Sequence, residues 1–372
     1  MNFLRNHLTD SFGVPPATVR AARMILAHKT ALAVLLLLAP ALFPMLFLEH
    51  EPPSERYVRC DAVFYMHIAA EGYPSEPTHF DAFYPLWPAC IRIGSLLTGG
   101  NLIVSGYLLS NLFSLGGFSA LHWLLLERHG AALANRAVLL MLCYPGSLFY
   151  FLPYTESLFL FLVAVCLLCL HRRAIAGAVV AGFLLPLARP VGIFILPVLL
   201  FKGLSERWDK RTLCSLCLPP VAGYLAYFGV MYYFTGTPSA GFIAEKQFAA
   251  HGSIAQIFQP GAFFHALLNV EWYHDPASSF IDRAMFGFFV LSLWWIARRE
   301  PGYFVYSLLM GLVPALSNVF VSYTRYLSVV FPVFVVSGQR TRGAHFGYLM
   351  PLLFFGIQVE FLLLYISKRW AG

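Results

Sequence analysis

ALAVLLLLAPALFPMLFL, residues Ala31 to Leu48, is an apolar run without a single charged side chain. Its length is what an α-helix needs to cross about 30 Å of hydrocarbon. Long apolar runs recur further along the chain at Leu102 to Leu126 and at Phe346 to Ile366, the latter with Glu360 as its one charged residue. A composition that is 59% hydrophobic and only 12% charged, with mean hydropathy +0.69, belongs to a chain whose main solvent is lipid. Spanning strands are excluded, because the runs are continuously apolar instead of alternating and open sheet edges cannot be satisfied in lipid. The expected fold class is therefore all-α: a polytopic integral membrane protein of about 9–11 transmembrane helices, forming a single transmembrane domain over residues 1–372.

The basic residues Arg5, Arg20, Arg23 and Lys29 precede the first run and place a 1–30 segment in the cytoplasm by the positive-inside rule. Pro40 and Pro44 interrupt the run and no clean small-residue cleavage site follows it, so the first helix is expected to be retained and not removed as a signal. With that orientation, the clusters Arg128/Arg136, Arg172/Arg173, Lys202/Arg207/Lys210/Arg211, Arg298/Arg299 and Arg340/Arg342 fall in inner loops. Carboxylates collect on the other side, among them Asp61, Glu71, Asp81, Glu156, Glu271 and Asp282. Two outer segments, 49–100 and 236–282, are too long to be turns, and long ordered loops are usually functional. The formal net charge of +7 reflects inner-loop bias and anionic headgroups. It does not indicate nucleic acid, since no soluble domain carries a basic stripe.

Parity adds one expectation. Arg173 and Lys202 both look cytoplasmic, yet too few residues lie between them for two helices of ordinary length. A short helix pair or re-entrant hairpin turning at Arg189-Pro190-Val191-Gly192 satisfies the count, since proline disfavours helix at the residue before it. One long helix kinked at Pro190, with a shifted topology, is the alternative.

Just past the first helix stands the acidic and aromatic stretch Arg59-Cys60-Asp61 to Glu71-Gly72-Tyr73. A helix starting at Asp61 puts Asp61, Phe64, Tyr65 and Ile68 on one face, a carboxylate heading an apolar and aromatic stripe. The helix dipole favours the charged form of a first-turn aspartate, which suits a proton acceptor. Asp is also a common helix cap, and that plainer reading stays open. Cys60 and Cys90 both fall on the outer side, where they could pair.

Arg59-Cys60-Asp61 through Gly72-Tyr73, followed by Ala82-Phe83-Tyr84-Pro85-Leu86-Trp87-Pro88 and Arg92, resembles the first luminal loop of the PIG-V-like mannosyltransferases, members of the GT-C glycosyltransferase superfamily. Three further blocks match in order. They are Tyr144-Pro145-Gly146-Ser147 with Pro153-Tyr154-Thr155-Glu156-Ser157-Leu158-Phe159, then Arg189-Pro190-Val191-Gly192, then Tyr323-Thr324-Arg325-Tyr326 ahead of Phe331-Pro332. Cys60 stands where the family usually carries Trp, and Asp81 is acidic where the family is not.

The resemblance implies transfer of a sugar, mannose above all, from a polyprenyl-phosphate donor to a hydroxyl on the extracytoplasmic side, with inversion. Such a reaction needs one base and a cationic site for the departing phosphate. Asp61 is the candidate base. Arg189 and Arg325 are the candidate phosphate ligands, because guanidinium offers bidentate donors and a charge at membrane depth rarely lacks a role. Arg59, Arg92 and Lys246 are alternates, and interfacial snorkelling is the plainer reading for every one of these cations. Tyr65, Tyr154, Glu156, His79 and Asp81 are candidates for substrate contact, and Glu156 could instead pair with one of the arginines or simply start its helix. His79 and Asp81 do not by themselves specify a metal site, so no metal and no cofactor beyond the lipid-linked sugar is expected. The expected partners are the bilayer, polyprenyl-phosphate-mannose and a glycan, glycolipid or protein acceptor, at the inner membrane of a prokaryote with the site facing outward. Another lipid-linked sugar is one alternative. A transporter or flippase is the other, although the repeated halves typical of transporters are not detectable.

Overall fold

Runs this apolar become helices because the helix satisfies every backbone polar group internally. The computed structural model describes residues 13–46, 57–76, 78–248, 257–276, 278–317, 320–341, 344–367, 369 and 371. Its helices are α1 (Pro16–Leu42), α2 (Asp61–Glu71), α3 (Leu86–Ser95), α4 (Leu102–His129), α5 (Ala131–Cys143), α6 (Glu156–His171), α7 (Ile175–Ala188) and α8 (Leu196–Ser205). There follow α9 (Lys210–Thr235), α10 (Ala240–Phe248), α11 (Pro260–Leu268), α12 (Phe280–Arg299), α13 (Phe304–Ser317), α14 (Tyr323–Leu327), α15 (Phe331–Arg340) and α16 (Ala344–Ile366). Among the described residues five helices are long and apolar enough to cross a membrane: α1, α4, α9, α12 and the Gly347–Ile366 part of α16. The shorter apolar stretches are α5, α6, α7, Pro190–Ser205 and Pro301–Leu316. The protein is thus an all-α, polytopic membrane protein, as its composition requires.

Small side chains let the central helices touch. Gly116 and Gly117 of α4 face Phe161 of α6 so closely that a Cβ at Gly117 would lie 2.9 Å from the Phe161 amide nitrogen. Ser105 and Ser110 on the same helix donate to the carbonyls of Ile91 and Leu152, at 2.8 and 2.7 Å. Close approach and interhelical hydrogen bonds are what hold helices together where lipid removes the hydrophobic difference.

Two ends of the bundle can be told apart by charge. At one end Glu127 pairs with Arg172 at 2.5 Å, Arg173 with Glu206 at 3.1 Å and Arg128 with Glu300 at 2.8 Å, gathering the termini of α4, α6, α8 and α12. At the other end, Gly106 of α4 packs against Met66 and Pro153. Gly106 and His129 are 23 residues apart on one helix, so the two ends lie about 34 Å apart.

The Arg173–Glu206 pair also settles the parity argument. Helix α7 leaves the basic end, the chain turns at Arg189 in extended conformation (φ −153°, ψ 147°), and the stretch from Pro190 to Ser205 returns to it. Gly192 folds back onto the backbone of Leu185 and Pro186 with no room for a Cβ. The expected hairpin is present, and its turn carries Arg189.

Helix α1 departs from expectation in its start. It begins at Pro16, ahead of basic residues expected to stand outside the membrane, and its 27 residues span about 40 Å, more than the hydrocarbon thickness. Arg20 and Arg23 are exposed near its start, but Lys29 is buried in its middle and donates to the Tyr150 carbonyl at 3.0 Å. That carbonyl ends the 3₁₀ turn Pro145–Tyr150. A lysine can be kept inside because it satisfies an otherwise orphaned acceptor.

Within 49–100, α2 and α3 pack together, and Arg92 donates to the Ala69 and Ala70 carbonyls at 2.8 and 2.7 Å. Within 236–282, α10 packs on the turn His79–Ala82, where a Cβ at Gly241 would lie 2.8 Å from the Asp81 carbonyl oxygen. Cys60 and Cys90 are both free thiols.

Candidate active site

Asp61 is the first residue of α2, and its carboxylate does not cap that helix. It reaches across 264 residues of sequence instead, accepting from Arg325 Nη1 at 2.6 Å. Arg325 Nε donates to Glu156 Oε1, also at 2.6 Å. The same Oε1 accepts from Arg189 Nη1 at 2.6 Å. The result is a chain of alternating charge, Asp61–Arg325–Glu156–Arg189, formally neutral. The Asp61 side chain is 31% exposed and that of Glu156 is 0% exposed, so the chain runs from an open end into the protein.

Each member is held by a different element. The Arg325 guanidinium lies 4.7 Å from the ring centroids of Phe149 and Tyr154, so it is clamped by aromatic faces as well as by carboxylates. Arg189, on the hairpin turn, lies 5.5 Å from the Tyr326 ring and 6.0 Å from that of Phe159. Glu156 begins α6, and its buried second oxygen has no hydrogen-bond partner among the described residues. A guanidinium has five N–H donors; the bonds just described use two on Arg325 and one on Arg189, so both guanidiniums have further donors.

Backbone geometry is unusual where the charges are delivered. Cys60, immediately before Asp61, has φ 50° and ψ −130°, and Ser322 and Phe320, shortly before Arg325, have φ 58° and 70°. Left-handed conformations of this kind cost on the order of 1–3 kcal/mol and persist where the surroundings over-determine them, characteristically at functional sites.

Two residues that sequence reasoning gave no role brace Arg325. Asp282, in the first turn of α12, accepts from the Thr324 backbone amide at 2.6 Å. The Thr324 carbonyl presses on Gly146, where a Cβ would also come within 2.9 Å of Arg325 Cα. Gly146 lies in a block singled out by its sequence, but the reason for glycine is visible only in this contact. Asp282 stood out only as one of the outer carboxylates, because its partner is a main-chain group 42 residues away.

The remaining expected residues separate into those beside the chain and those away from it. Tyr65 is buried and edge-on to Tyr154 and Phe83, at 6.4 and 5.0 Å, forming the wall behind Asp61. Tyr154 also donates to the Arg59 carbonyl at 3.0 Å. Arg59 itself donates to the Ile366 carbonyl at 2.9 Å, tying the approach to Asp61 to the end of α16. Arg92 closes the C-terminal end of α2, the end opposite Asp61. His79 packs near-parallel on Phe80 at 4.7 Å and edge-on to Phe64 at 5.3 Å. Asp81 is wholly buried and accepts from the Thr78 amide at 3.0 Å. Burial pushes its carboxyl above the ordinary range against the opposing pull of that amide and of His79. The side chain of Lys246 lies outside the described residues. No group of three or more His, Cys, Asp or Glu placed to hold a metal occurs among the described residues.

Asp61, Glu156 and Arg189 fall in one stretch of sequence with a family signature. Residues 32–204 match the mannosyltransferase (PIG-V) family. The match takes in three of the four charged residues and leaves Arg325 beyond its edge. No curated protein sequence matches this chain. Among solved structures it is similar to the oligosaccharyltransferase of Archaeoglobus fulgidus in complex with Zn and sulfate, with TM-score 0.47, 13% identity, and coverage of 82% of this chain and 48% of that one. The same enzyme tethered to an acceptor peptide containing the NVT sequon gives TM-score 0.47, 14% identity, and coverage of 93% and 55%. The archaeal oligosaccharyltransferase AglB, also from Archaeoglobus fulgidus and in complex with an inhibitory peptide and a dolichol-phosphate, gives 0.45, 12%, and coverage of 92% and 55%. The chain spans about half the length of these structures.

Proposed function

We propose that this protein is an inverting glycosyltransferase that moves mannose from polyprenyl-phosphate-mannose to a hydroxyl acceptor at the extracytoplasmic membrane face. The family match supports glycosyl transfer, and the observation that carries the residue roles is the Asp61–Arg325 contact at 2.6 Å. A carboxylate and a guanidinium that touch at the open end of a buried charge chain offer a base and an anion site side by side.

In the reaction, the donor phosphate takes up donors of Arg325 and Arg189. Competition for Arg325 loosens its hold on Asp61, whose freed oxygen accepts the proton of the acceptor hydroxyl. The acceptor oxygen bonds to the anomeric carbon from the face opposite the phosphate, the bond from that carbon to the phosphate oxygen breaks, and polyprenyl phosphate departs with both electrons. One displacement gives inversion. The arginines carry the leaving-group charge that a metal carries elsewhere, so activity is expected to survive excess EDTA.

Transfer of mannose from polyprenyl-phosphate-mannose in proteoliposomes tests the roles. Asp61→Asn should lower the rate by about 10²–10⁴-fold, the usual range for a lost general base. Arg325→Lys and Arg189→Lys should weaken use of the donor, since lysine cannot reproduce the bidentate fork. Undiminished transfer by Asp61→Asn refutes the base, and transfer of some other sugar in place of mannose refutes the donor.

A further inference from the structure

The basic end of the bundle holds a second site. Two neighbouring cavities of about 280 and 460 Å³ share Arg299 and Gln339 as lining residues, the smaller adding Arg340 and Trp295 and the larger Arg136 and His129. No carboxylate lines either cavity among the described residues. The acid nearby, Glu300, is 2% exposed and is taken up by Arg128 at 2.8 Å and His129 at 3.0 Å. Arg136 Nε donates to the Gly338 carbonyl at 3.1 Å, and the Arg340 guanidinium stacks 3.1 Å from the Trp295 ring centroid, so both cations are set in place. Arg299 is exposed and has no ion pair among the described residues.

Three guanidiniums converging on connected cavities with no acid among the lining residues describe an anion site, and the surroundings say which anion. Just before Arg299 on α12, Leu291, Trp294 and Val290 are exposed apolar side chains on a membrane-spanning helix, a surface that acyl chains cover. Trp294 carries the Arg298 guanidinium 3.9 Å from its ring centroid, and an exposed Trp–Arg pair at a helix end marks headgroup depth. Basic pockets between transmembrane helices are suited to phosphate headgroups. We infer that this cavity pair binds the phosphodiester headgroup of an anionic glycerophospholipid, in the leaflet opposite the Asp61 site. The phosphate lies between Arg299, Arg340 and Arg136, Gln339 meets the glycerol hydroxyls, and the acyl chains run along α12.

Native mass spectrometry of the detergent-purified chain, titrated with phosphatidylglycerol and with phosphatidylcholine of identical acyl chains, tests this. The wild type should retain phosphatidylglycerol in preference to phosphatidylcholine. Arg299→Gln with Arg340→Gln should weaken phosphatidylglycerol roughly 25- to 30-fold, since a basic side chain near an anionic surface contributes roughly fivefold. Removing the same charge elsewhere at that end, with Lys210→Gln and Arg211→Gln, should leave the preference intact. Gln339→Glu puts a carboxylate on the shared rim without removing an arginine, and it should abolish the preference even if the double variant is poorly folded. Equal retention of both lipids, unchanged phosphatidylglycerol binding in Gln339→Glu, or displacement of phosphatidylglycerol by millimolar inorganic phosphate would overturn the lipid site.

Discussion

At the scale of single residues, the candidate site was legible because charge is rare in this chain. Only 12% of its residues are charged, and a carboxylate or guanidinium between apolar segments needs a partner or a task. Asp61, Glu156, Arg189 and Arg325 stand out for that reason, and all four belong to one hydrogen-bonded chain. Their pairing order was not legible: Glu156 holds both arginines with one oxygen, which no spacing reveals. The role of Asp282 was not legible, because it binds a backbone amide. The central position of Glu156 predicts its importance for folding. In Glu156→Gln the amide keeps the shape but removes the charge between two buried guanidiniums. Breaking a buried pair from one side costs about 3–5 kcal/mol, because the other charge remains uncompensated. Thermal unfolding in detergent should show a clearly lowered midpoint for Glu156→Gln and a much smaller change for Asp61→Asn, whose side chain is at the open end. Equal midpoints for Glu156→Gln and wild type would mean that the buried chain does not hold the elements together.

Helices and turns were readable where polarity or parity constrained them, and unreadable where a main-chain contact did. The hairpin at Arg189 followed from too short a segment between two basic clusters, and the Arg173–Glu206 pair closes it. The buried course of α1 past Lys29 did not follow, because the partner of Lys29 is the carbonyl of Tyr150, from a turn more than a hundred residues later. The Pro145–Tyr150 turn is the element on which the site is most exposed to a small change. Gly146→Ala drives a methyl into the Thr324 carbonyl, and both the obstructing atoms and the Arg325 Cα behind them are backbone. Overpacking of this kind costs about 1–3 kcal/mol. The strain falls on the loop that delivers Arg325, so donor use should suffer more than stability. Gly229→Ala and Gly287→Ala are matched controls, since a Cβ at either meets nothing within 4 Å. In steady-state transfer assays, Gly146→Ala should raise KM for the proposed lipid-linked donor and lower kcat while the controls match wild type. A Gly146→Ala variant with wild-type KM and kcat would show that Arg325 has freedom the packing denies it.

For the molecule as a whole, the sidedness of charge sets the two ends apart. Arg128, Arg172, Arg173 and their acidic partners cluster at one end of α4, and Asp61 with its arginine lies near the other, about 34 Å away along the helix. The fold class was plain from composition, while the assignment of one end to the cytoplasm rests on the positive-inside rule. Chemical labelling can test that assignment directly. Ser75 lies on the exposed stretch between α2 and α3, and Lys210 is exposed at the start of α9, just after the basic end of α8. Cys60 and Cys214 are the exposed native thiols among the described residues, so single cysteines at 75 and 210 are best placed in a chain lacking both. In intact cells a membrane-impermeant maleimide should modify Ser75→Cys and leave Lys210→Cys untouched until the membrane is permeabilised. The reverse pattern would turn the site toward the cytoplasm and exclude an extracytoplasmic acceptor. Labelling of both from outside would require an even number of crossings between 75 and 210, which the course of α4, α5, α6 and the Arg189 hairpin does not allow. Helices α4, α5 and α6 cross three times, and the hairpin adds two crossings because it returns to the end it left, so the total of five is odd. The charge chain and the topology therefore depend on the same turn: Arg189 reaches the site because α7 stops at Ala188, and residue 210 is at the basic end because the chain then folds back.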